Sequence, residues 1–291
     1  MKRTPIKFFI LLSLSSCAST HFEMGVQTPL RNIANFQDCF KTMETFFESP
    51  LPLKEGLTFS TAKDLDELES LYGNASFIDT QRSLANSKIL EINKKTRELL
   101  SAPLKTDTPE GYTNYATKEE LNLIYKDVTN EKVHVNHSCY DPKGVVGFCF
   151  GRATIVHMEA LIRGMNPDSI RKIWIAGDME KWGHHVATMI KGVDGWYVLD
   201  TNLGRVVRAE EWIDYYKPYK SKKATSDIMV FITRADRFGP ESSQNYTGIN
   251  LFNSNTSHYE RSLDYYRGYF ADYFESLDKE RKEVKKFPVR K

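Results

Sequence analysis

Apolar residues recur at helical spacing between positions 58 and 130. Three segments carry this pattern, with apolar residues at Leu65, Leu68 and Leu71, then at Ile89, Ile92, Leu99 and Leu100, and finally at Leu121, Ile124 and Val128. Thr117 and Glu120 match a capping box, in which a hydroxyl and a carboxylate satisfy the open N–H groups of a helix start. The pattern predicts a helical region over residues 58–130, including a helix from Lys118 to about Val128.

After position 130 the pattern changes to one helix followed by short runs of β-branched and aromatic residues. The helix is predicted over Gly151–Arg163, because Gly164 and Pro167 would end it. Four strands are predicted, over Lys172–Ala176, His185–Ile190, Trp196–Asp200 and Ile228–Thr233. This order predicts an α+β domain over residues 131–250, in which the helix packs on a mainly antiparallel sheet.

The last segment, residues 251–291, carries a second capping-box pattern at Ser257 and Glu260. Apolar and aromatic residues follow at helical spacing, at Tyr259, Leu263, Tyr266, Phe270, Tyr273 and Leu277. The segment therefore predicts a long C-terminal helix that docks on the domain through this stripe.

The first residues have the pattern of an export signal. Lys2, Arg3 and Lys7 precede a short apolar run, Phe8–Leu14, which is too short to span a bilayer. Residues 14–17, with the sequence Leu-Ser-Ser-Cys, resemble the lipobox of bacterial lipoproteins. That resemblance implies cleavage of residues 1–17 and a lipid on Cys17, and the Ala that follows implies the outer membrane. The alternative is an ordinary secretory signal that contains a cysteine. Residues 18–57 are then interpreted as a tether with short helices.

Charge changes this picture little. Removing residues 1–17 takes away three positive charges and no negative one, so the formal net charge falls from +2 to −1. A near-neutral chain gives no general electrostatic reason to bind nucleic acid. We therefore expect a monomer in the cell envelope with no nucleic-acid partner, held to the membrane through Cys17.

The chain has four cysteines, at positions 17, 39, 139 and 149. If Cys17 carries lipid, an oxidising compartment would leave one pair and one unpaired thiol. Cys39 and Cys139 are the candidate disulfide pair, and the sequence leaves open whether they are bonded, because it does not show their separation in space.

Three residues in a specific order carry the candidate chemistry. Cys149 starts the predicted helix, His185 follows 36 residues later on a strand, and Asp200 follows 15 residues after that at the end of the next strand. A helix start favours a thiolate, an imidazole can exchange protons with it, and a carboxylate can orient the imidazole. Each residue alone is more often a core or turn residue, but their order and placement together predict a Cys-His-Asp triad.

Three short motifs carry a family resemblance, namely Cys149-Phe-Gly-Arg-Ala153, His185-Val-Ala187 and Asp200-Thr-Asn-Leu203 with Trp212 after it. They resemble the bacterial protein glutaminases and, more broadly, the transglutaminase-like and papain-like thiol enzymes, over about residues 135–216. The resemblance implies a papain-like fold and deamidation of glutamine side chains in proteins or peptides. It assigns Cys149 as nucleophile, His185 as general acid and base, and Asp200 as the orienting carboxylate, with no cofactor. His184 and Lys143 depart from the pattern, and Lys143 stands where papain-type proteases keep an oxyanion-hole Gln.

Three further residues are candidates for the substrate pocket. Trp182 either lines an acyl pocket or packs at the strand entry, and His184 precedes the predicted catalytic histidine. Arg152 either anchors the loop that carries Cys149 or contacts substrate.

Other functions remain open at this stage. A transglutaminase or a cysteine peptidase would use the same three residues. A metal site could be built from Cys139, Cys149, His184 and His185, although no close metal-ligand spacing supports it. An envelope-binding lipoprotein that has lost activity is the alternative that is not an enzyme. The helical region is either a cover over the active site or part of the core.

Overall fold

The computed structural model describes residues 60, 62–72, 84–104, 108–135, 148–180, 183–237, 269–270, 272–274, 276–277 and 284–290. The predicted signal and tether lie outside these residues, as do Cys17, Cys39, Cys139, Lys143, Trp182 and the second capping box. Within the described ranges, no helix is both long and apolar enough to cross a membrane.

A five-stranded antiparallel sheet forms the centre of the described structure, with the strand order β4-β3-β2-β1-β5. The strands are β1 (Ile170–Ala176), β2 (His184–Gly192), β3 (Gly195–Leu199), β4 (Val207–Arg208) and β5 (Met229–Arg234). A tight turn joins β2 to β3, and it closes at the Gly192–Gly195 pair. Gly195 has φ +153°, a backbone conformation that favours glycine.

Six α-helices of the described chain surround the sheet. They are α1 (Asp66–Tyr72), α2 (Asn86–Ser101), α3 (Lys118–Asn130), α4 (Lys132–Val135), α5 (Cys149–Ile162) and α6 (Ala209–Tyr216). The capping box predicted for α3 is present, because Thr117 accepts from the Glu120 N–H and Glu120 accepts from the Thr117 N–H. These two reciprocal hydrogen bonds satisfy two backbone N–H donors and set where the helix begins.

Helices cover both faces of the sheet. Helix α5 crosses one face, where Thr188 Oγ1 of β2 donates to the Ala153 carbonyl at 2.6 Å. Side chains alternate between faces along a strand, so Arg171 and Arg234, which are paired across β1 and β5, lie on the opposite face. There they form ion pairs with the segment that contains α1, for example Arg171 with Asp64 at 2.7 Å. The central sheet is consequently buried on both sides.

The predicted helical region packs as part of this core. Apolar side chains of α1 and α2, including Leu68, Ile89 and Ile92, lie in the same buried cluster as Ile173 of β1. Helix α2 also satisfies the outer edge of β5, because Asn93 bonds to the backbone of Ile228 and Val230. An edge strand needs such partners for its outward N–H and C=O groups.

The predicted α+β class is confirmed, and the predicted helix and four strands correspond to α5, β1, β2, β3 and β5 with ends shifted by one or two residues. Described residues between 269 and 277 are helical, and Phe270 and Tyr273 of the predicted aromatic stripe are buried against the α5 side of the core. Strand β4 and helix α6 were not predicted. Both are short, and β4 depends on pairing with β3, which local sequence does not reveal.

Candidate active site

His185 and Asp200 form a buried pair where β2 begins and β3 ends. His185 Nε2 lies 2.8 Å from Asp200 Oδ2, and both side chains are nearly inaccessible to solvent. The two residues come together because β2 and β3 are joined by the short turn at Gly192–Gly195. This part of the predicted triad geometry is present in the structure. Since Nε2 faces the carboxylate, Nδ1 is the ring nitrogen that a thiol would use.

Helix α6 holds the Asp200 carboxylate in place. Oδ2 also accepts from Trp212 Nε1 at 2.8 Å and from the Tyr216 hydroxyl at 2.9 Å. The other oxygen, Oδ1, accepts from the Asn202 N–H at 3.0 Å. Asp200 therefore has four hydrogen-bond partners, three of which are neutral groups from α6 or the turn after β3.

These partners decide the ionisation of Asp200. Burial alone would raise the pKa of its carboxyl, but the charge and hydrogen bond of His185, with the bonds from Trp212 and Asn202, outweigh burial and lower this pKa. The negative charge of Asp200 raises the pKa of neighbouring tyrosine hydroxyls, because it disfavours a second negative charge nearby. Burial, followed by the charge of Asp200, raises the pKa of Tyr125 to about 12. Asp200 is thus a fixed negative charge beside His185 at neutral pH.

Aromatic rings restrict the imidazole. The ring of His185 stacks on Trp212 with centroids 5.9 Å apart and lies 4.9 Å from the Tyr216 ring. Trp212 and Tyr216 therefore contact both members of the pair, through ring contact with His185 and hydrogen bonds to Asp200. Such packing fixes ring orientation, which a general acid and base requires.

Cys149 is the first residue of α5 and is 3% exposed. Phe148 before it has φ 47° and ψ 18°, and it is the one non-glycine residue with positive φ in the described part of the chain. An L-residue pays a steric cost in this left-handed region, and such strain concentrates at functional sites. Burial of Phe148 and its stacking on Tyr269 at 4.9 Å hold this conformation.

Cys149 is disulfide-bonded in this structure. The other three cysteines of the chain lie outside the described residues, and so does the predicted Cys39–Cys139 pair. The expectation that Cys149 is the thiol left unpaired is wrong. A sulfur in a disulfide is no nucleophile toward an amide, so any thiolate chemistry at this position requires reduction first.

The direction in which α5 crosses β2 shows toward which end of the sheet Cys149 lies. Residues 113 and 116 bridge Met165, just after α5, and Gly192, the last residue of β2, so the C-terminus of α5 lies at that end of the sheet. Its N-terminus consequently points to the end where β2 begins. Cys149 lies about 6 Å along the helix axis from Ala153, and His185 lies about 10 Å along the strand from Thr188. Both displacements run toward the same end.

The candidate pocket residues have different outcomes. His184 is partly exposed at the start of β2, and its ring centroid lies 6.3 Å from that of Trp174. Burial, followed by the nearby His185, lowers the pKa of His184 to about 4, so this ring is neutral at pH 7. Arg152 is buried in the first turn of α5. Trp182 lies outside the described residues.

Sequence reasoning missed two of the groups that hold the site. Tyr216 was not a candidate, and Trp212 entered only as part of the family motif. Their spacing of four residues places both on one face of a helix, which is a visible signal, but only the packing of α6 against β3 shows that this face meets Asp200.

No group of three or more His, Cys, Asp or Glu side chains that could hold a metal ion occurs among the described residues.

Comparison with known proteins adds no functional assignment. No family model, no curated protein and no solved structure matches this chain.

Proposed function

We propose that this chain is a cysteine-dependent amide hydrolase in which Cys149, His185 and Asp200 act as a triad. The observation that carries the proposal is the buried His185–Asp200 pair, in which the carboxylate is oriented by three further donors. A buried charge with this many partners is costly to build and is typical of an orienting group for a catalytic histidine.

The start of α5 supports Cys149 as the nucleophile. Cys149 stands at the N-terminus of α5, where the helix dipole favours a negative charge. The strained Phe148 backbone presents the cysteine at a sharp entry into the helix. The position at the helix N-terminus stabilises a thiolate relative to a neutral thiol once the disulfide is reduced.

The pairing of the strands supports a route between the proposed thiolate and the imidazole. His185 projects from the face opposite to Thr188, whereas α5 lies on the Thr188 face. The described pairing of β3 with β2 ends at Leu199–Thr188, and Asp200 is the N-cap of a 3-10 turn over Thr201–Leu203. The edge of β2 beside His185 is therefore not paired with β3, and we propose that Cys149 approaches Nδ1 at this break.

The reaction then follows ordinary thiol chemistry. The Cys149 thiolate attacks the amide carbonyl carbon, the C–N bond breaks, and the proton of the His185 imidazolium goes to the leaving nitrogen, which departs as ammonia. Water attacks the resulting thioester and gives a proton to His185. The C–S bond breaks, and a carboxylic acid and the thiolate are released; the acid then gives its remaining proton to solvent and becomes a carboxylate. Asp200 keeps the imidazole in one orientation and stabilises its charged form.

The substrate class and the fold family belong to the same proposal. The motif resemblance favours glutamine side chains of proteins or peptides as substrate, and a papain-like or transglutaminase-like fold. An amine in place of water would give transglutamination, and a peptide bond as substrate would give proteolysis. We further propose that a lipid on Cys17 holds the protein at the outer membrane, which radiolabelled palmitate incorporation into wild type but not Cys17→Ser would support.

Ammonia release tests the reaction. The full chain is incubated with a dithiol, which reduces the disulfide and is itself oxidised to a cyclic disulfide, and then with a panel of glutamine-containing proteins and muropeptides. We expect ammonia from the reduced wild type, none from the unreduced protein, and none from Cys149→Ser or His185→Ala. Tyr215→Phe, at an exposed position on α6, is the matched control. Equal ammonia release by wild type and Cys149→Ser would exclude the triad.

Iodoacetamide separates an enzyme from an inactive binding protein even if the panel lacks the right substrate. After reduction, Cys149 should be alkylated rapidly at pH 7, and His185→Ala should slow that reaction. Slow alkylation that His185→Ala does not change would instead favour a lipoprotein with a structural cysteine.

A further inference from the structure

A second group of buried titratable side chains lies between α5 and the sheet, and the proposed reaction does not use it. Lys172 of β1, His157 of α5 and Asp236, which follows β5, are each 1% exposed or less. Burial of charge without full pairing is destabilising, and apolar residues of the same size often serve as well or better. The cluster therefore invites a functional explanation.

Lys172 links the sheet to the helix that carries Cys149. Its ammonium donates to the Arg237 carbonyl at 2.9 Å and lies 4.3 Å from the centroid of the Phe150 ring. Phe150 directly follows Cys149 in the first turn of α5. A cation against an aromatic face is attracted by the ring. The contact places a charged group of the sheet beside the turn that holds the sulfur.

A neighbouring hydrogen bond shows where along α5 the contact between Lys172 and Phe150 lies. Lys172 pairs across the sheet with Thr188, whose hydroxyl donates to the Ala153 carbonyl of α5. Phe150 and Ala153 are three residues apart and share a helix face. Lys172 and Thr188 together therefore contact the first turn of α5 from two adjacent strands.

We propose that Lys172 is a positioning residue for the Cys149 thiolate, because its ammonium, held against Phe150, adds positive potential to the first turn of α5. This inference rests on the proposed function, since it concerns the same nucleophile. It adds a side chain that none of the sequence motifs contains and that touches neither substrate nor the reacting atoms.

Charged groups around Lys172 influence the ionisation of its ammonium group. Asp236 faces Lys172 from the segment after β5, and both of its carboxylate oxygens lack a hydrogen-bond partner among the described residues. Burial raises the pKa of Asp236 to about 6, so it is ionised at pH 7 and supplies a counter-charge. Burial lowers the pKa of Lys172 well below its usual value, Asp236 opposes this, and Arg237 adds to it.

Two histidines near this turn, His157 and His184, are neutral at pH 7 and do not compete with Lys172. Burial, then the charge of Lys172, lowers the pKa of His157 on α5. His184 on β2 is neutral for the reason given above, and His185 is the proton-exchanging partner of the proposed thiolate.

The pH dependence of Cys149 alkylation tests the role of Lys172. Reduced full-length protein is treated with iodoacetamide over a pH series, and alkylation is read at the Cys149 peptide by mass spectrometry. Lys172→Met keeps the length of the side chain and removes its charge. We expect the thiol pKa to rise by about one unit, and alkylation below that pKa to slow about tenfold, as for one charge roughly 10 Å away in a protein-like dielectric. Lys172→Arg should restore much of the wild-type profile.

A double variant guards against misfolding. Lys172→Met leaves Asp236 buried without its cation, so Lys172→Met with Asp236→Asn removes both charges and should fold at least as well. A shift of melting temperature with an unchanged thiol pKa in these variants would overturn the proposal, because it would show a structural role alone. A wild-type thiol that is unreactive after reduction would instead overturn the proposed function, so the two failures are distinguishable.

Discussion

Two carboxylates, Asp200 and Asp236, are buried to a similar degree but differ in ionisation. Asp200 accepts four hydrogen bonds, and its pKa is lowered despite burial. Asp236 accepts none among the described residues, and burial raises its pKa to about 6. Burial penalises the charged form in both places; at Asp200 the charge of His185 and the donated hydrogen bonds outweigh burial, whereas at Asp236 the charge of Lys172 does not. The Asp200 region is built to keep its charge, whereas the Asp236 region holds a charge that a small change in pH can remove.

The largest expected effect on activity comes from removing the charge of Asp200, the carboxylate with four hydrogen-bond partners. Asp200→Asn keeps the size of the side chain but removes the anion that orients His185, so we expect kcat/KM for ammonia release to fall about 10³–10⁴-fold. Asp214→Asn is the matched control, because Asp214 is exposed on α6 and pairs only with Lys217 among the described contacts. Activity retained in Asp200→Asn would show that the pair is structural.

A second prediction compares the core contribution of α2 with the idea that it is a removable cover. Ile92 is fully buried, whereas Leu90 on the same helix is 51% exposed. Ile92→Ala should lower the free energy of unfolding by about 2–5 kcal/mol, and Leu90→Ala should change it by less than about 0.5 kcal/mol. Urea denaturation followed by circular dichroism measures both. A small effect of Ile92→Ala on stability together with higher activity would support the hypothesis that α2 is a removable cover over the active site.

A third prediction concerns the pH dependence of stability at Asp236. Its pKa is higher in the folded state than the value of about 3.9 in an unfolded chain. Between pH 4 and pH 6 the unfolded state therefore binds fewer protons, and the wild type should lose about 2 kcal/mol of stability relative to its value at pH 4. Asp200, with its lowered pKa, has the opposite sign, and its contribution is lost only as pH falls below about 4.

Unfolding free energies from pH 4 to pH 6 check this sign. The double variant Lys172→Met with Asp236→Asn lacks both charges, so its stability should change less over this range than that of the wild type. Parallel curves for the two proteins would mean that Asp236 has an ordinary pKa in the folded state.

The smallest expected effect comes from removing one donor to Asp200. Tyr216→Phe and Trp212→Phe each delete one hydrogen bond to Oδ2 while keeping an aromatic ring beside His185. We expect about a tenfold loss of kcat/KM and a stability loss of about 1 kcal/mol for each variant. Tyr215→Phe, on the same helix, should change neither quantity. Wild-type kinetics in both variants would show that Asp200 is oriented by His185 and Asn202 alone.

Local sequence determined much of the secondary structure and part of the site. The capping box at Thr117 and Glu120 predicted the start of α3, because both partners lie within one helical turn. The turn between β2 and β3 predicted that His185 and Asp200 would lie side by side, because a tight turn fixes the register of two strands. These predictions depended on contacts between residues close in the chain.

Tertiary structure decided the rest. The donors that lower the pKa of Asp200 reach it through the packing of α6, and the Lys172–Phe150 contact joins a strand to a helix across 22 positions. The left-handed backbone of Phe148 and the disulfide at Cys149 also depend on the surrounding structure and not on local preference. The sequence by itself therefore indicated the groups that we propose to react, whereas the burial and hydrogen bonds that set the ionisation of Asp200 come from residues that only folding brings together.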